Sequence, residues 1–292
     1  MVKIMKNSKD DTYYLEVGKK GEERLNILNQ SMNESSCNFL LKMGLKSGMK
    51  VLELGCGTGQ MAIFLAQQVM PLGTVIAIDN SVQQIEIAQK SAQEAGVNNI
   101  EFHVISANDI NSLGLNNTID LVFARFLFAH LIERQSVLNT VKNVLKLETG
   151  VIVLQEPISS QKFCYPESPA LNQLTALSVK VSKYFKKDIN LGMKLIELYH
   201  NTGLKVLDYE YHDPLSKTKD EKLQFYRALV EAEPTVLKHN LAIEEEISNI
   251  KKGLIDLAED DNVMVSGIPN VIIGGMNIEP IGEQNTPATY LE

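Results

Sequence analysis

A glycine-rich segment, Glu53-Leu54-Gly55-Cys56-Gly57-Thr58-Gly59, holds the residues whose types and spacing are best suited to chemistry. Glycine is needed where the backbone turns tightly or where a ligand lies against the main chain, because a Cβ atom would collide there. Glu53 stands at the end of an apolar run, and its carboxylate would repel a pyrophosphate while attracting an ammonium or a sulfonium. The segment therefore predicts a turn that binds a small molecule carrying positive charge.

Two related glycine-rich motifs do not occur in the sequence. The dinucleotide fingerprint G-x-G-x-x-G requires glycine at its sixth position, where this chain has Gln60. No G-x-x-x-x-G-K-[ST] segment is present, so a phosphate-binding P-loop is excluded. Together with Glu53, the missing sixth glycine disfavours a nicotinamide-dependent oxidoreductase.

A second acidic residue, Asp79, ends the apolar run 74–79 and follows Gly59 by about 20 residues. In nucleotide-binding α/β folds an acidic residue at this distance meets the ribose, and a carboxylate can accept hydrogen bonds from both vicinal hydroxyls. The competing interpretation is a helix-start residue, since Ser81 and Gln84 form a capping box for the next helix. In combination with the glycine turn, Asp79 indicates ribose binding.

Short apolar runs alternate with helical patterns in the first half of the chain. Strands are predicted at 49–54, 74–79, 100–105, 120–124 and 151–155. Helices are predicted at 60–69, 81–96 and 131–147, after an N-terminal helical lead-in at 21–43. Because the strands are apolar throughout and alternate with helices, the pattern predicts a parallel sheet covered on both faces.

Helical patterns dominate beyond Pro157. The predicted helices are 168–187, 193–202 and 219–257, with a β-like run at 205–211 and one or two closing strands within 263–278. We interpret residues 1–292 as a single domain whose core comprises 44–212 and 263–292. A helical insertion at about 213–262 precedes the last strands, and we expect it to cap the ligand edge of the sheet.

Three segments carry a resemblance to a known family. Residues 51–59 resemble motif I of class I S-adenosylmethionine methyltransferases, and 77–81 are similar to the acidic second motif of that family. Residues 119–125 resemble its fourth strand, and the likeness covers about 44–157. The upstream stretch 14–25 is more loosely similar to the lead-in of the ubiquinone- and menaquinone-methylating group. The resemblance implies a Rossmann-like, doubly wound, mostly parallel sheet of seven strands.

The resemblance also implies which residues bind S-adenosylmethionine. The implied set is Tyr14, Glu53, Gly55, Cys56, Gly57, Gly59, Gln60, Asp79, Asn80, Ser106, Ala107, Asn108 and Arg125. Glu53 to Gly59 would border the methionine part, Asp79 the ribose and Asn80 the adenine. Ser106 stands where the family usually has an acidic residue near the adenine, so Asn108 or Asp109 would supply the missing acceptor. An equally weighted interpretation makes Arg125 a surface residue lying over apolar neighbours.

Methyl transfer from a sulfonium is an in-line displacement, and the protein contributes chiefly by orienting the reactants and excluding water. These contributions can lower the barrier by about 7–11 kcal/mol. No metal is needed, and a base is needed only if the acceptor must lose a proton. The candidate bases are His130, whose ordinary pKa suits neutral pH, and Glu156, which follows the fifth strand. Phe126, Phe128 and Tyr165 could line an acceptor pocket or belong to the core.

Composition limits the partners. The formal net charge of −8 disfavours nucleic acid, whose binding depends on positive charge. Three cysteines without a C-x-x-C pair, and an N-terminus without a long apolar run, predict a cytoplasmic protein with no membrane insertion; a homodimer is left open. The sequence therefore predicts a methyltransferase for a small-molecule acceptor. The alternatives are a protein or RNA acceptor and a non-catalytic module that only binds the cofactor.

Overall fold

A computed structural model of the protein describes residues 19–279, with side chains from Asn29 onward. The helices of this part are Lys19–Lys42 (α1), Gln60–Val69 (α2), Val82–Glu94 (α3), Arg134–Val144 (α4), Pro169–Tyr184 (α5), Leu195–Thr202 (α6), Lys219–Lys222 (α7), Gln224–Lys238 (α8) and Glu244–Glu259 (α9). The strands are Lys50–Leu54 (β1), Thr74–Asp79 (β2), Ile100–Val104 (β3), Leu121–Arg125 (β4), Val151–Pro157 (β5), Cys164–Tyr165 (β6), Leu204–His212 (β7), Leu215–Ser216 (β8), Met264–Ser266 (β9) and Asn270–Asn277 (β10). The first five strands lie within about two residues of their predicted positions, as expected for apolar runs bounded by polar turns.

Seven strands form one sheet in the order β3-β2-β1-β4-β5-β10-β7. The first five strands run parallel to one another, whereas β10 is antiparallel to both β5 and β7. The strand order reverses between β1 and β4, and in open α/β sheets ligands bind at the carboxyl ends of the strands beside such a reversal. The predicted doubly wound, mostly parallel sheet of seven strands is confirmed.

Both faces of the sheet are covered by helices, which explains why its inner strands are apolar throughout. On one face, Val141 of α4 and Tyr199 of α6 are completely buried against the sheet. On the other face, Phe39 of α1 and Leu65 of α2 belong to a second buried cluster. Because both faces are covered, a ligand can reach these strands only at their ends, and the reversal in strand order favours the carboxyl ends.

A third buried cluster lies in a separate layer, the cap, which consists of α5, α7, α8, α9 and a small sheet in the order β6-β9-β8. Leu174 of α5, Leu229 of α8 and Leu254 of α9 are among its buried residues. Helix α5 precedes the predicted insertion 213–262, so the cap comes from two segments of the chain rather than one. An amphipathic helix such as α5 must bury its apolar face, and α9 provides the opposing surface.

The helical stretch predicted over 219–257 is divided into three helices in the structure. The longest interruption follows Lys238, where Asn240 adopts a left-handed φ of 54°. The amides of Asn240 and Leu241 donate to the carbonyls of Leu237 and Val236, respectively, which is the Schellman pattern that ends a helix. The closing region 263–278 forms two strands that belong to different sheets. Strand β10 joins the large sheet, whereas β9 belongs to the small sheet of the cap.

Within 19–279, no helix is both long and apolar enough to cross a bilayer. In the same range, no three His, Cys, Asp or Glu side chains lie together as potential metal ligands.

Candidate active site

Three glycines shape the turn between β1 and α2. Gly55, Gly57 and Gly59 have φ values of 69°, 51° and 83°, in the left-handed region that disfavours residues with a Cβ atom. Gly55 and Gly57 line a cavity of about 380 Å³ at the carboxyl edge of the sheet. At Gly59 a Cβ would lie 2.8 Å from the Cβ of Ala88 in α3, so this glycine is required for close helix packing. The turn therefore combines a ligand-facing part with a structural part.

Five described residues of the implied cofactor set do not line the cavity, namely Glu53, Cys56, Gly59, Gln60 and Asn108. Cys56 is buried in the hydrophobic cluster beneath the turn. Gln60 and Asn108 are exposed, and the backbone amide of Asn108 instead donates to the hydroxyl of Ser106 over 3.2 Å. Tyr14 lies outside the described residues. Direct cofactor contacts by these five residues and by Tyr14 therefore stay predictions.

Glu53 is buried at the end of β1, and its Oε2 atom has no hydrogen-bond partner among the described residues. Burial raises the pKa of Glu53 to about 8, while the nearby Arg125 guanidinium acts in the opposite direction and Asp79 raises it further. A buried acceptor without a donor costs free energy that a hydrogen-bonding cation would recover. Glu53 does not itself line the cavity, so its contact with the ammonium of the cofactor, which the family resemblance implies, stays a prediction.

Asp79 links the glycine turn to the start of α3. Its carboxylate accepts hydrogen bonds from the backbone amide of Gly57 over 3.1 Å and from that of Ser81 over 2.9 Å. Burial raises the pKa of Asp79, and the amide hydrogen bonds act in the opposite direction. Asp79 lines the cavity together with Asn80, Ser106 and Ala107. The structure thus brings together the residues expected at the ribose and the adenine.

Arg125 lines the cavity from the end of β4 and is held by helix α1. Its guanidinium donates to Asn29 Oδ1 over 2.6 Å, Asn33 Oδ1 over 3.1 Å and Ser36 Oγ over 2.9 Å. Ser36 Oγ donates in turn to Gln155 Oε1 over 2.6 Å. Burial lowers the pKa of Arg125 to about 10. The interpretation of Arg125 as a surface residue is therefore wrong.

Sequence reasoning missed the three α1 residues that hold Arg125. The signal was their spacing, because Asn29, Asn33 and Ser36 follow one another at intervals that put them on one side of a helix. The apolar positions of this segment were enough to predict a helix, and the polar stripe beside them was overlooked. A stripe of amides and hydroxyls facing the protein predicts a buried polar partner.

Glu156 is completely buried and does not line the cavity. Its Oε1 accepts hydrogen bonds from the amides of Leu127 over 3.1 Å and Phe128 over 2.8 Å, and its Oε2 accepts one from Ala129 over 2.9 Å. Burial raises the pKa of Glu156 to about 8, against the effect of these three amides. This geometry corrects the expectation of a substrate-facing base, since both oxygens are occupied in holding the loop that follows β4.

We expect Glu156→Gln to lower the free energy of unfolding by about 1.5–3 kcal/mol, because an amide nitrogen would replace one acceptor oxygen and leave a buried backbone amide unpaired. Urea denaturation would measure the difference. Glu133→Gln is the matched control, because Glu133 is exposed and its side chain does not cap α4. A variant of wild-type stability whose turnover is lost would contradict this role and restore Glu156 as a base.

His130, the other candidate base, lies in the loop that Glu156 holds and does line the cavity. The three aromatic residues that were predicted to line an acceptor pocket or to belong to the core lie in three different environments. Phe126 lines the cavity, Phe128 is completely buried in the core, and Tyr165 is 72% exposed on β6. Of the two candidate bases, His130 is therefore the one placed to meet a bound acceptor.

The cavity continues from the glycine turn into the cap, where sequence reasoning identified few of its residues. Leu177 of α5 and Leu229 of α8 form part of an apolar wall. The polar residues there that we did not predict include Lys162, Lys187 and Gln224. These residues carry no local motif, and they become neighbours only because the cap folds over the sheet.

Comparison with known proteins agrees with this geometry. A family model described as a methyltransferase domain matches residues 45–228, which is more than half of the chain. A solved structure, the YcgJ protein from Bacillus subtilis, superposes with a TM-score of 0.58 at 18% sequence identity, covering 85% of this chain and 100% of that one. This likeness supports the fold.

Two curated relatives are similar to this chain in sequence. The demethylmenaquinone methyltransferase of Lactococcus lactis is 29% identical over 182 residues, covering 59% of this chain and 71% of the relative. The release factor glutamine methyltransferase of Flavobacterium psychrophilum is 29% identical over 170 residues, covering 56% of each chain. With the glycine turn, the reversal in strand order and the family match in agreement, the chain belongs to the methyltransferase-domain family and is an S-adenosylmethionine-dependent methyltransferase.

Proposed function

We propose that this enzyme methylates a small, apolar molecule that binds beneath the cap. The observation that carries the proposal is the continuity of one cavity from the glycine turn to the cap. Asp79 and Ser106 line it at the sheet edge, while Leu177 and Leu229 line it in the cap. A donor at the sheet edge and an apolar acceptor under the cap would therefore share one enclosed space.

The residues at the sheet edge suit each part of S-adenosylmethionine. Glu53 would accept from the ammonium, and Gly55 and Gly57 would allow the methionine part to lie against the main chain. Asp79 would accept from the ribose hydroxyls, exchanging its hydrogen bond with Gly57 for bonds to the ligand. Asn80, Ser106 and Ala107 would then border the adenine.

The sulfonium of the bound cofactor supplies the methyl group and the leaving group of the displacement. The chain's own contribution is to orient the acceptor and to exclude water, which the apolar cap wall does. Where the acceptor has to lose a proton, His130 is the residue of the cavity wall that we assign to take it. Glu156 would act indirectly, by fixing the loop that carries His130.

The relatives support a small acceptor and also define the main alternative. The name of the L. lactis relative refers to a quinone, whereas that of the F. psychrophilum relative refers to a protein side chain. We favour the small molecule because helices α5 and α8 of the cap line the cavity, which leaves less room for a polypeptide. A cofactor-binding module without catalysis is the second alternative. The absence of a nucleic-acid partner, cytoplasmic localisation and a homodimer stay predictions.

We expect the purified protein to bind S-adenosylmethionine and S-adenosylhomocysteine and not to bind NAD, because Glu53 would repel a pyrophosphate. Isothermal titration calorimetry with the three ligands checks this. Transfer of labelled methyl groups to a metabolite extract then separates the enzyme from a non-catalytic module. Label found only in protein would support a protein acceptor. Tight binding of NAD without binding of either sulfur ligand would refute the proposal.

A further inference from the structure

The cap end of the cavity combines an apolar wall with positive charge. Leu174, Leu177 and Val181 of α5 and Phe225, Leu229 and Val236 of α8 contribute the apolar surface. Lys162 and Lys187 line the same cavity. A pocket that was selective for a neutral hydrocarbon would not need an ammonium in its wall, because burying an ammonium costs several kcal/mol unless it is paired.

The charges of the cavity wall are unbalanced. Among the described residues that line it, the cations are Arg125, Lys162 and Lys187, and the one acid is Asp79. Arg125 and Asp79 belong to the sheet edge, where Arg125 also lies near Glu53. Lys187 has a partner of its own, so Lys162 is the lysine that remains for the cap end, in a chain whose formal net charge is −8.

Lys162 is the more informative of the two lysines. Its ammonium lies 5.4 Å from the centre of the Phe225 ring, a cation–π contact within the cavity. In the described part of the chain, no carboxylate forms an ion pair with Lys162 and no hydrogen bond involves its ammonium. Burial lowers the pKa of Lys162 to about 8, with no neighbouring acid to oppose the shift. An anionic ligand would provide the missing partner.

We infer that the acceptor of the proposed reaction is an amphiphile whose apolar body fills the cap end and whose anionic group pairs with the ammonium of Lys162. The inference rests on the proposed function only where it identifies the ligand as the methyl acceptor. The preference of the pocket for an anion is argued from the cavity wall alone. All ligands of this class have a single negative group, such as a carboxylate, sulfonate or phosphate, attached to a hydrophobic skeleton. The Phe225 ring contacts the same ammonium.

Two fluorescent probes test the charge requirement directly. The anionic probe is 8-anilino-1-naphthalenesulfonate, and the neutral one is N-phenyl-1-naphthylamine, which lacks only the sulfonate. We expect the wild-type protein to bind the anionic probe at least about tenfold more tightly, which corresponds to about 1.4 kcal/mol. Lys162→Met should remove this preference by weakening the anionic probe and leaving the neutral one within a few-fold. Lys183→Met, at an exposed position of α5, should preserve the preference.

The outcomes separate this inference from the proposed function. Equal binding of the two probes by the wild type, or an unchanged preference in Lys162→Met, would overturn the inference. The comparison of the two probes on the wild type requires no variant. The inference can therefore be overturned even if the Lys162→Met variant fails to fold. Calorimetric titration with S-adenosylhomocysteine is run on the same samples. Loss of that binding alone would count against the proposed function and leave the anionic preference standing.

Discussion

Asp79→Ala is expected to weaken the binding of S-adenosylmethionine by about 2–3 kcal/mol, or roughly 30- to 150-fold in Kd. The physical reason is that a carboxylate at the end of β2 would accept from the ribose hydroxyls in a partly buried site, where charge-assisted hydrogen bonds are strong. The same carboxylate accepts from the amides of Gly57 and Ser81, so its removal also loosens the glycine turn. Isothermal titration calorimetry with S-adenosylhomocysteine gives the change in Kd.

The control for this variant is Glu86→Ala, which removes one carboxylate from an exposed position of α3. We expect Glu86→Ala to bind as the wild type does, so that a general effect of net charge is excluded. The fold should survive in Asp79→Ala, because the hydroxyl of Ser81 still accepts from the amide of Gln84. If Asp79→Ala retains its melting temperature and its affinity, Asp79 is merely a turn residue.

Ala228→Trp is expected to reduce methyl transfer by about 100-fold or more while the Kd for S-adenosylmethionine changes only a few-fold. Ala228 and Ala232 line the cap end of the cavity one helical turn apart on α8. An indole there would occupy the space assigned to the acceptor, and small displacements of reacting groups cost on the order of 100-fold in rate. Steady-state kinetics with the acceptor found in the extract, and calorimetry with the cofactor, measure the two effects.

Val230→Trp is the matched control, because Val230 lies on the same helix but is 37% exposed. The same enlargement at this position should leave both turnover and cofactor binding near wild-type values. Circular dichroism confirms that the helix is retained in each variant. Full turnover in a folded Ala228→Trp protein would show that the acceptor binds elsewhere, and the cap would then be better explained as a contact with another chain.

The sequence by itself was sufficient where the determinants are local. Gly55, Gly57 and Gly59 are identifiable because a left-handed backbone selects glycine whatever surrounds it. Glu53 and Asp79 are identifiable because each ends an apolar strand beside that turn. Strands β1, β2, β4 and β5 are mainly apolar on both faces, so the parallel sheet follows from the pattern. These features determined the fold class, and the family resemblance that they carry implied the cofactor.

The second half of the chain was less predictable because its helices are selected by packing as well as by local signals. The three-helix division of 219–257 was marked by Asn240, but a polar residue with a left-handed φ is common in many contexts. The contribution of α5 to the cap depends on α8 and α9, which follow it by dozens of residues. No local pattern reveals such a partner.

Only the tertiary structure decided what several site residues do. Arg125 is paired with Asn29, Asn33 and Ser36 across 89 to 96 residues of sequence. Glu156 has the residue type and position of a base, but three amides from the loop after β4 occupy its oxygens. Lys162 belongs to no sequence motif. The pKa of its ammonium is lowered because the cap surrounds it with apolar side chains. The sequence determines the charge and the hydrogen-bonding capacity of each side chain. The desolvation of that side chain and the identity of its partner depend on which distant segments the fold brings together.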